Sequence, residues 1–154
     1  MGYGVGSGED SAGTGVSESQ ENEHACRGLR VLVAEDDMIN QKLILLYLKK
    51  AGCDYEIVPD GLQVLSMIEK QSFDVVLMDC SMPIMDGFEA TRRIRSNPKY
   101  DDLKVIALTA HSLKGDRERC MKAGMDDYMA KPLNLDLLTK KLSTIKTMQP
   151  ANGH

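Results

Sequence analysis

Four places along the chain put reactive side chains in short, separated clusters: Glu35-Asp36-Asp37, Asp79, Thr109-Ala110 and Lys131-Pro132. Taken singly, each has an ordinary explanation. An acidic triplet suits a solvated turn or a helix cap, and an isolated aspartate suits a turn. A threonine suits a strand, and Lys-Pro suits a surface loop. Their coincidence is what points to chemistry. If Glu35, Asp36 and Asp79 converge, each like-charge pair ~4 Å apart costs on the order of 4 kcal/mol at an effective dielectric near 20. Such a cluster needs a cation, and a set of oxygen donors points to a hard one, Mg²⁺ with several retained waters.

Convergence requires elements that end in the right places. Short apolar runs at 29–34, 55–58, 73–78, 105–109 and, more weakly, Asp127–Ala130 predict five strands. Three of them are almost continuously apolar, as befits strands covered on both faces of a parallel sheet. The first run ends at Glu35, the third at Asp79, the fourth at Thr109 and the fifth at Lys131. Helix-length segments lie between them. Met38–Ala51 carries Ile39, Leu43, Leu46 and Tyr47 at helical spacing, with Gly52 as the stop. Leu62, Leu65 and Ile68 mark a second helix, and Phe88, Thr91 and Ile94 a third. Lys114–Ala123 forms a fourth with a thin apolar face, closed by Gly124. A fifth, capped by Asn134, runs through Leu137, Leu138, Leu142 and Ile145. Five strand–helix pairs with right-handed crossovers predict an α/β domain with a central parallel sheet and helices on both sides. In that architecture ligands bind outside the carboxyl ends of the strands, where the four clusters fall.

Composition bounds the rest. A chain of 154 residues, 42% hydrophobic and 27% charged, fits one globular domain with no internal repeat. Its net charge of −4 resides in residues 1–28, which hold Glu9, Asp10, Glu18, Glu21 and Glu23 against Arg27. That segment also holds seven of the thirteen glycines, and is expected to be a disordered leader or linker ahead of a domain at 29–147 and a flexible tail at 148–154. The remaining chain is formally neutral without a basic stripe, which argues against nucleic-acid binding. No apolar run reaches membrane-spanning length and no secretory leader is evident, so a cytoplasmic setting without direct membrane contact is expected. Gly6 stands where a myristoylation motif wants Ser or Thr. Cys26, Cys53, Cys80 and Cys120 form no C-x-x-C pair and read as reduced thiols. His24, His111 and His154 lack metal-ligand spacing.

The ordered set Val31-Leu32-Val33-Ala34-Glu35-Asp36, Leu77-Met78-Asp79-Cys80-Ser81-Met82-Pro83 with Asp86-Gly87, Leu108-Thr109-Ala110 and Ala130-Lys131-Pro132 resembles the receiver domain of two-component response regulators. The separations also fit that family: 43 residues from Asp36 to Asp79, 30 more to Thr109 and 22 more to Lys131. The resemblance implies a flavodoxin-like fold with strand order 2-1-3-4-5 and a phosphoryl acceptor at Asp79. It implies Mg²⁺ held by Asp36, Asp79 and the backbone carbonyl of Ser81, with Glu35 holding metal-bound water. Lys131 and the Thr109 hydroxyl would stabilise the transferring group, and Tyr128 would be the switch aromatic that follows Thr109. Asp37-Met38-Ile39-Asn40-Gln41 resembles receivers fused to hybrid sensor histidine kinases, an arrangement compatible with the cytosolic part of a membrane-bound sensor. The implied partner is a kinase's histidine-bearing helix pair or a histidine-phosphotransfer protein, docking at Met38, Ile39, Pro132 and Leu133.

One departure is Asp37, where kinase-attached receivers often carry Asn; it either tunes the metal or caps the first helix. A freestanding single-domain regulator is the nearest alternative. An aspartate-nucleophile phosphatase would need a general acid two residues after Asp79, where Ser81 stands. A flavodoxin would need a Ser/Thr/Gly-rich loop in place of three acids. A pseudo-receiver serving only as an interaction module is disfavoured because the acceptor and its supporting residues are all present.

Overall fold

The computed structural model describes residues 25–110 and 114–148. Among these, five strands alternate with five helices: β1 Arg30–Ala34, α1 Met38–Ala51, β2 Asp54–Val58, α2 Gly61–Lys70, β3 Val75–Asp79, α3 Gly87–Arg95, β4 Lys104–Thr109, α4 Lys114–Ala123, β5 Asp127–Ala130 and α5 Leu135–Met148. A short 3-10 turn, Pro98–Tyr100, precedes β4. All pairings are parallel and the spatial order is β2-β1-β3-β4-β5. The fold is flavodoxin-like, as expected.

Side chains along the central strands alternate between two cores, the period-2 rule of a pleated sheet. Val31, Val33, Val75, Leu77, Ile106 and Leu108 face α1 and α5; Leu32, Ala34, Val76, Met78, Val105 and Ala107 face α2, α3 and α4. α3 buries Phe88, Thr91 and Ile94 and α5 buries Leu138, Leu142 and Ile145, as their spacing suggested, whereas α1 and α2 turn a partly different stripe inward. In α1 the buried residues are Ile44, Leu48 and Ala51, while Ile39 and Leu46 are exposed. Residues 43–48 are apolar throughout, so periodicity could not choose the inward face; docking on the sheet chooses it. Leu62 and Leu137 are likewise exposed, and α2 buries Val64 in place of Leu62. α4 has the thin face anticipated: Cys120 and Ala123 are its buried residues among those described.

Among the described residues, four helices begin with a side-chain cap. Asp37, Asp60, Asp86 and Asn134 accept backbone hydrogen bonds of 2.8–2.9 Å from Ile39, Gln63, Glu89 and Leu137. Each cap contributes about 1 kcal/mol and aims a positive helix end at the rim where the strands finish. Asp37 therefore caps α1.

Two further features hold the frame. The boundary drawn at residue 28 by composition falls inside the folded unit. Cys26 is fully buried, its N–H donates to Ala51 O at 3.1 Å, and its thiol lies 3.7 Å from Thr139 O on α5. Residues 1–24 of the expected leader and 149–154 of the expected tail lie outside the described residues. At the opposite side, Arg95 at the end of α3 donates to Gly124 O at 2.9 Å, Tyr100 O at 3.0 Å and Asp126 Oδ2 at 2.8 Å. The same Asp126 oxygen accepts the Val105 N–H at 2.8 Å. Gly124 has φ +104°, and a Cβ there would come within 2.6 Å of Arg95 Cγ, so glycine is required twice over.

Candidate functional site

The strand-end residues are set by the sheet's own hydrogen bonds. Glu35 N–H extends the β1–β2 ladder by donating to Val58 O at 3.0 Å, and Cys80 N–H donates to Leu108 O at 3.0 Å. Lys131 N–H donates to Thr109 O at 2.8 Å. Asp79 is the last residue of β3, and Thr109 of β4; both are buried. Behind Asp79 the chain makes its closest approach, since a Cβ on Gly87 would sit 2.3 Å from Asp79 O. The loop between them contains Ile84 at φ 69°, an unusual backbone for a β-branched residue.

These constraints bring the expected set together. Lys131 Nζ lies 2.9 Å from Glu35 Oε1 and 3.0 Å from Asp79 Oδ2, bridging two carboxylates. Asp79 Oδ1 accepts the Ser81 N–H at 3.2 Å, and Glu35 Oε2 accepts the Asp37 N–H at 3.1 Å. Glu35 is wholly buried, and the Lys131 ammonium is the cation that meets its Oε1. Burial drives the Glu35 carboxyl above its usual range, and the Lys131 bond only partly opposes this. Burial acts to lower Lys131, but its bonds to Glu35 and Asp79 outweigh that and hold the ammonium above its ordinary value. Both shifts, at Glu35 and at Lys131, favour bound protons.

One oxygen each from Glu35, Asp36 and Asp79 lies within 4.8 Å of the others. This donor set, with buried carboxylates at Glu35 and Asp79 that share a single lysine and an exposed carboxylate at Asp36, fits a hard divalent cation. The cleft around it measures about 600 Å³. It is lined by the six carboxylates of Glu35, Asp36, Asp37, Asp79, Asp86 and Asp116, and also by Ser81, Thr109 and Lys131. Asp116 and Arg119, three residues apart on α4, and Phe88 at the start of α3 also line it and were not anticipated. Charged residues on a helix with a thin apolar face read as a solvated surface, so nothing in the sequence singled them out.

Other expected residues are placed as follows. Tyr128 is half-buried against the α2–α3–α4 side of the core, with the Arg117 guanidinium 5.9 Å from its ring centroid. Met38 and Ile39 are 68% and 77% exposed at the start of α1, and Pro132 is exposed. Leu133 is 6% exposed and belongs to the α1–α5 core. It is corrected from docking residue to core residue, because the chain turns inward after Pro132 to enter α5. The four cysteines are free thiols, with Cys80 Sγ 3.9 Å from Cys120 Sγ. No helix among the described residues is long and apolar enough to cross a membrane.

Comparison with known proteins agrees with this geometry. The family model of the response regulator receiver domain matches residues 31–143. Hybrid signal transduction histidine kinase I of Dictyostelium discoideum is 43% identical over 122 residues, which are 75% of this chain and 7% of that protein. Response regulator mcs4 of Schizosaccharomyces pombe is 34% identical over 147 residues, 79% of this chain and 28% of that protein. The chain therefore spans only a minor part of these relatives. Among solved structures, the receiver domain of sensor histidine kinase PA1611 from Pseudomonas aeruginosa, with a magnesium ion in its active site cleft, is 42% identical with a TM-score of 0.72. The match covers 77% of this chain and 98% of that one. The receiver domain of Ssk1 from Saccharomyces cerevisiae, crystallised with the histidine phosphotransfer protein Ypd1, is 28% identical with a TM-score of 0.74. That match covers 79% of this chain and 90% of that one.

Proposed function

The chain belongs to the response regulator receiver domain family, and from that premise we propose that Asp79 accepts a phosphoryl group from a phosphohistidine in a two-component phosphorelay. The observation that carries this reading is the Lys131 ammonium held between two buried carboxylates, Glu35 and Asp79, at 2.9 and 3.0 Å. A lysine so placed fixes the direction of the acceptor carboxylate and is poised to follow negative charge onto the incoming phosphoryl oxygens.

In the reaction, an Asp79 carboxylate oxygen attacks phosphorus, the P–N bond to the donor imidazole breaks, and an aspartyl phosphate forms. Asp36, Asp79 and the Ser81 carbonyl would hold Mg²⁺, with Glu35 acting through metal-bound water; the ion supplies charge neutralisation on the transferring group. Thr109 donates its hydroxyl to a phosphoryl oxygen, and Ala110 leaves the phosphorus reachable. Movement of Thr109 toward the phosphoryl group opens space for Tyr128 to rotate inward, altering the surface made by α4, β5 and α5.

The donor is read as the histidine-bearing helix of a kinase or of a phosphotransfer protein. It would dock on the exposed apolar side chains of Met38, Ile39 and Pro132 beside the cleft. The 43% identity to a hybrid kinase supports assigning the chain to the receiver segment of such a protein, in the cytosol. The decisive test is labelling with acetyl phosphate and Mg²⁺, read by intact mass. Wild type is expected to gain one base-labile phosphoryl group, and Asp79→Asn none. Equal labelling of the two would overturn the assignment.

A further inference from the structure

Among the described residues lining the cleft, only Lys131 and Arg119 are positively charged. Lys131 is committed between Glu35 and Asp79. Arg119, on α4, instead lies across an aromatic ring, its guanidinium carbon 4.1 Å from the centroid of Phe88. Phe88 directly follows Gly87, the residue pressed against the Asp79 carbonyl, so the ring that seats Arg119 is fixed to the backbone beside the acceptor. The charge also reaches Cys80, next to the acceptor: burial pushes that thiol up and Arg119 works against the push.

We propose that Arg119 is a second cationic contact for the phosphoryl group on Asp79, parked on Phe88 until that group arrives. The proposal rests on Asp79 being the acceptor. A guanidinium over a ring is held by the ring's quadrupole, whereas a phosphoryl group offers full charge and a pair of acceptor oxygens that match the guanidinium fork. Arg119 is exposed and free of core packing, so little opposes the exchange. One turn earlier on the same helix face, Asp116 also lines the cleft. New negative charge on Asp79 therefore attracts one α4 residue and repels its neighbour, a charge couple acting on the helix with the thinnest buried face.

The test uses beryllofluoride, an inorganic phosphoryl mimic, with wild type, Arg119→Gln and Arg119→Lys, by isothermal titration calorimetry. At saturating Mg²⁺, Arg119→Gln is expected to weaken beryllofluoride binding about five- to tenfold. Arg119→Lys should recover at least half of that loss. Mg²⁺ affinity without the mimic should hold or tighten by about twofold in Arg119→Gln, because a like charge has left the cleft. Opposite or separate movement of the two affinities is the signature of a direct contact. Unchanged beryllofluoride binding in Arg119→Gln overturns the proposal, and so does a parallel fall in both affinities, which marks a damaged cleft. If wild type itself binds no beryllofluoride, the acceptor reading falls and the Arg119 contact falls with it. If wild type binds and Asp79→Asn does not, the acceptor stands, and the loss in Arg119→Gln belongs to Arg119 alone.

Discussion

Replacing Lys131 with methionine tests whether one amine holds the buried acid pair together. At 3 Å and an effective dielectric near 20, each of its two contacts is worth about 5.5 kcal/mol before desolvation. The net cost of stranding buried carboxylates by removing their cation is about 3–5 kcal/mol. Protonation sets a ceiling on that cost. A carboxyl with an ordinary value of 4.5 can be held neutral at pH 7 for about 3.4 kcal/mol, at 1.36 kcal/mol per pH unit. The expected loss for Lys131→Met without divalent ions is therefore about 3 kcal/mol at pH 7, falling to about 1.4 kcal/mol at pH 5.5. The sign follows from Glu35, whose folded value is raised. Above pH 4.5 the folded state binds more protons than the unfolded one, so stability is full below that pH and is lost as pH rises through the raised value. Removing Lys131 pushes that value further up, so variant and wild type converge in acid and separate toward neutrality. Urea denaturation in EDTA, followed by circular dichroism at several pH values, measures the gap, and Mg²⁺ should close part of it. A gap below about 1 kcal/mol at pH 7, or one independent of pH, would refute the reasoning.

Three other substitutions probe the frame and the docking face. Gly87→Ala places a Cβ 2.3 Å from Asp79 O; it should cost about 2–3 kcal/mol in urea and slow acetyl-phosphate labelling, and a cost under about 0.5 kcal/mol would show the loop relaxing freely. Ile84→Asn should stabilise the protein by about 1 kcal/mol, since it relieves the left-handed backbone of a side chain that is 79% exposed; a lower urea midpoint would contradict the strain. Met38→Lys should slow phosphoryl transfer from a protein donor while acetyl-phosphate labelling stays within about twofold. Equal slowing with both donors would instead point to the metal cluster.

The sheet and its rim were legible because their signals are local. Val75-Val76-Leu77-Met78 is a buried strand by composition alone, and Asp79 marks where it meets solvent. The fold then brings Glu35, Asp79 and Lys131 together without further information. Helix faces were less legible. Six consecutive apolar residues from Leu43 to Leu48 allow several inward stripes, and only the sheet selects Ile44 and Leu48. Leu133 looks like a surface residue after Lys-Pro, yet the path into α5 buries it. Cys26 lies among glycines and acids that suggest a leader, and its place against Ala51 and Thr139 depends on α1 and α5 already being packed. Asp116 and Arg119 matter through position alone, since α4 carries them over the cleft and any charged helix would read the same way.

The Arg95 hub gives α4 a mechanical asymmetry. Gly124 and Asp126, just past the helix's carboxyl end, are bolted to α3 by the same guanidinium that braces Tyr100. The charged side chains of α4 that line the cleft, Asp116 and Arg119, lie on the stretch away from that anchor. α4 is thus a lever with its fulcrum at Gly124 and an arm of about 15 Å over ten residues. A tilt of roughly 10° on such an arm moves its tip by about 2.5 Å, while the fulcrum stays seated on Arg95. Charge arriving at Asp79 would act on that lever through Asp116 and Arg119, and the seat on Arg95 would turn the push into a tilt rather than a translation of the whole helix.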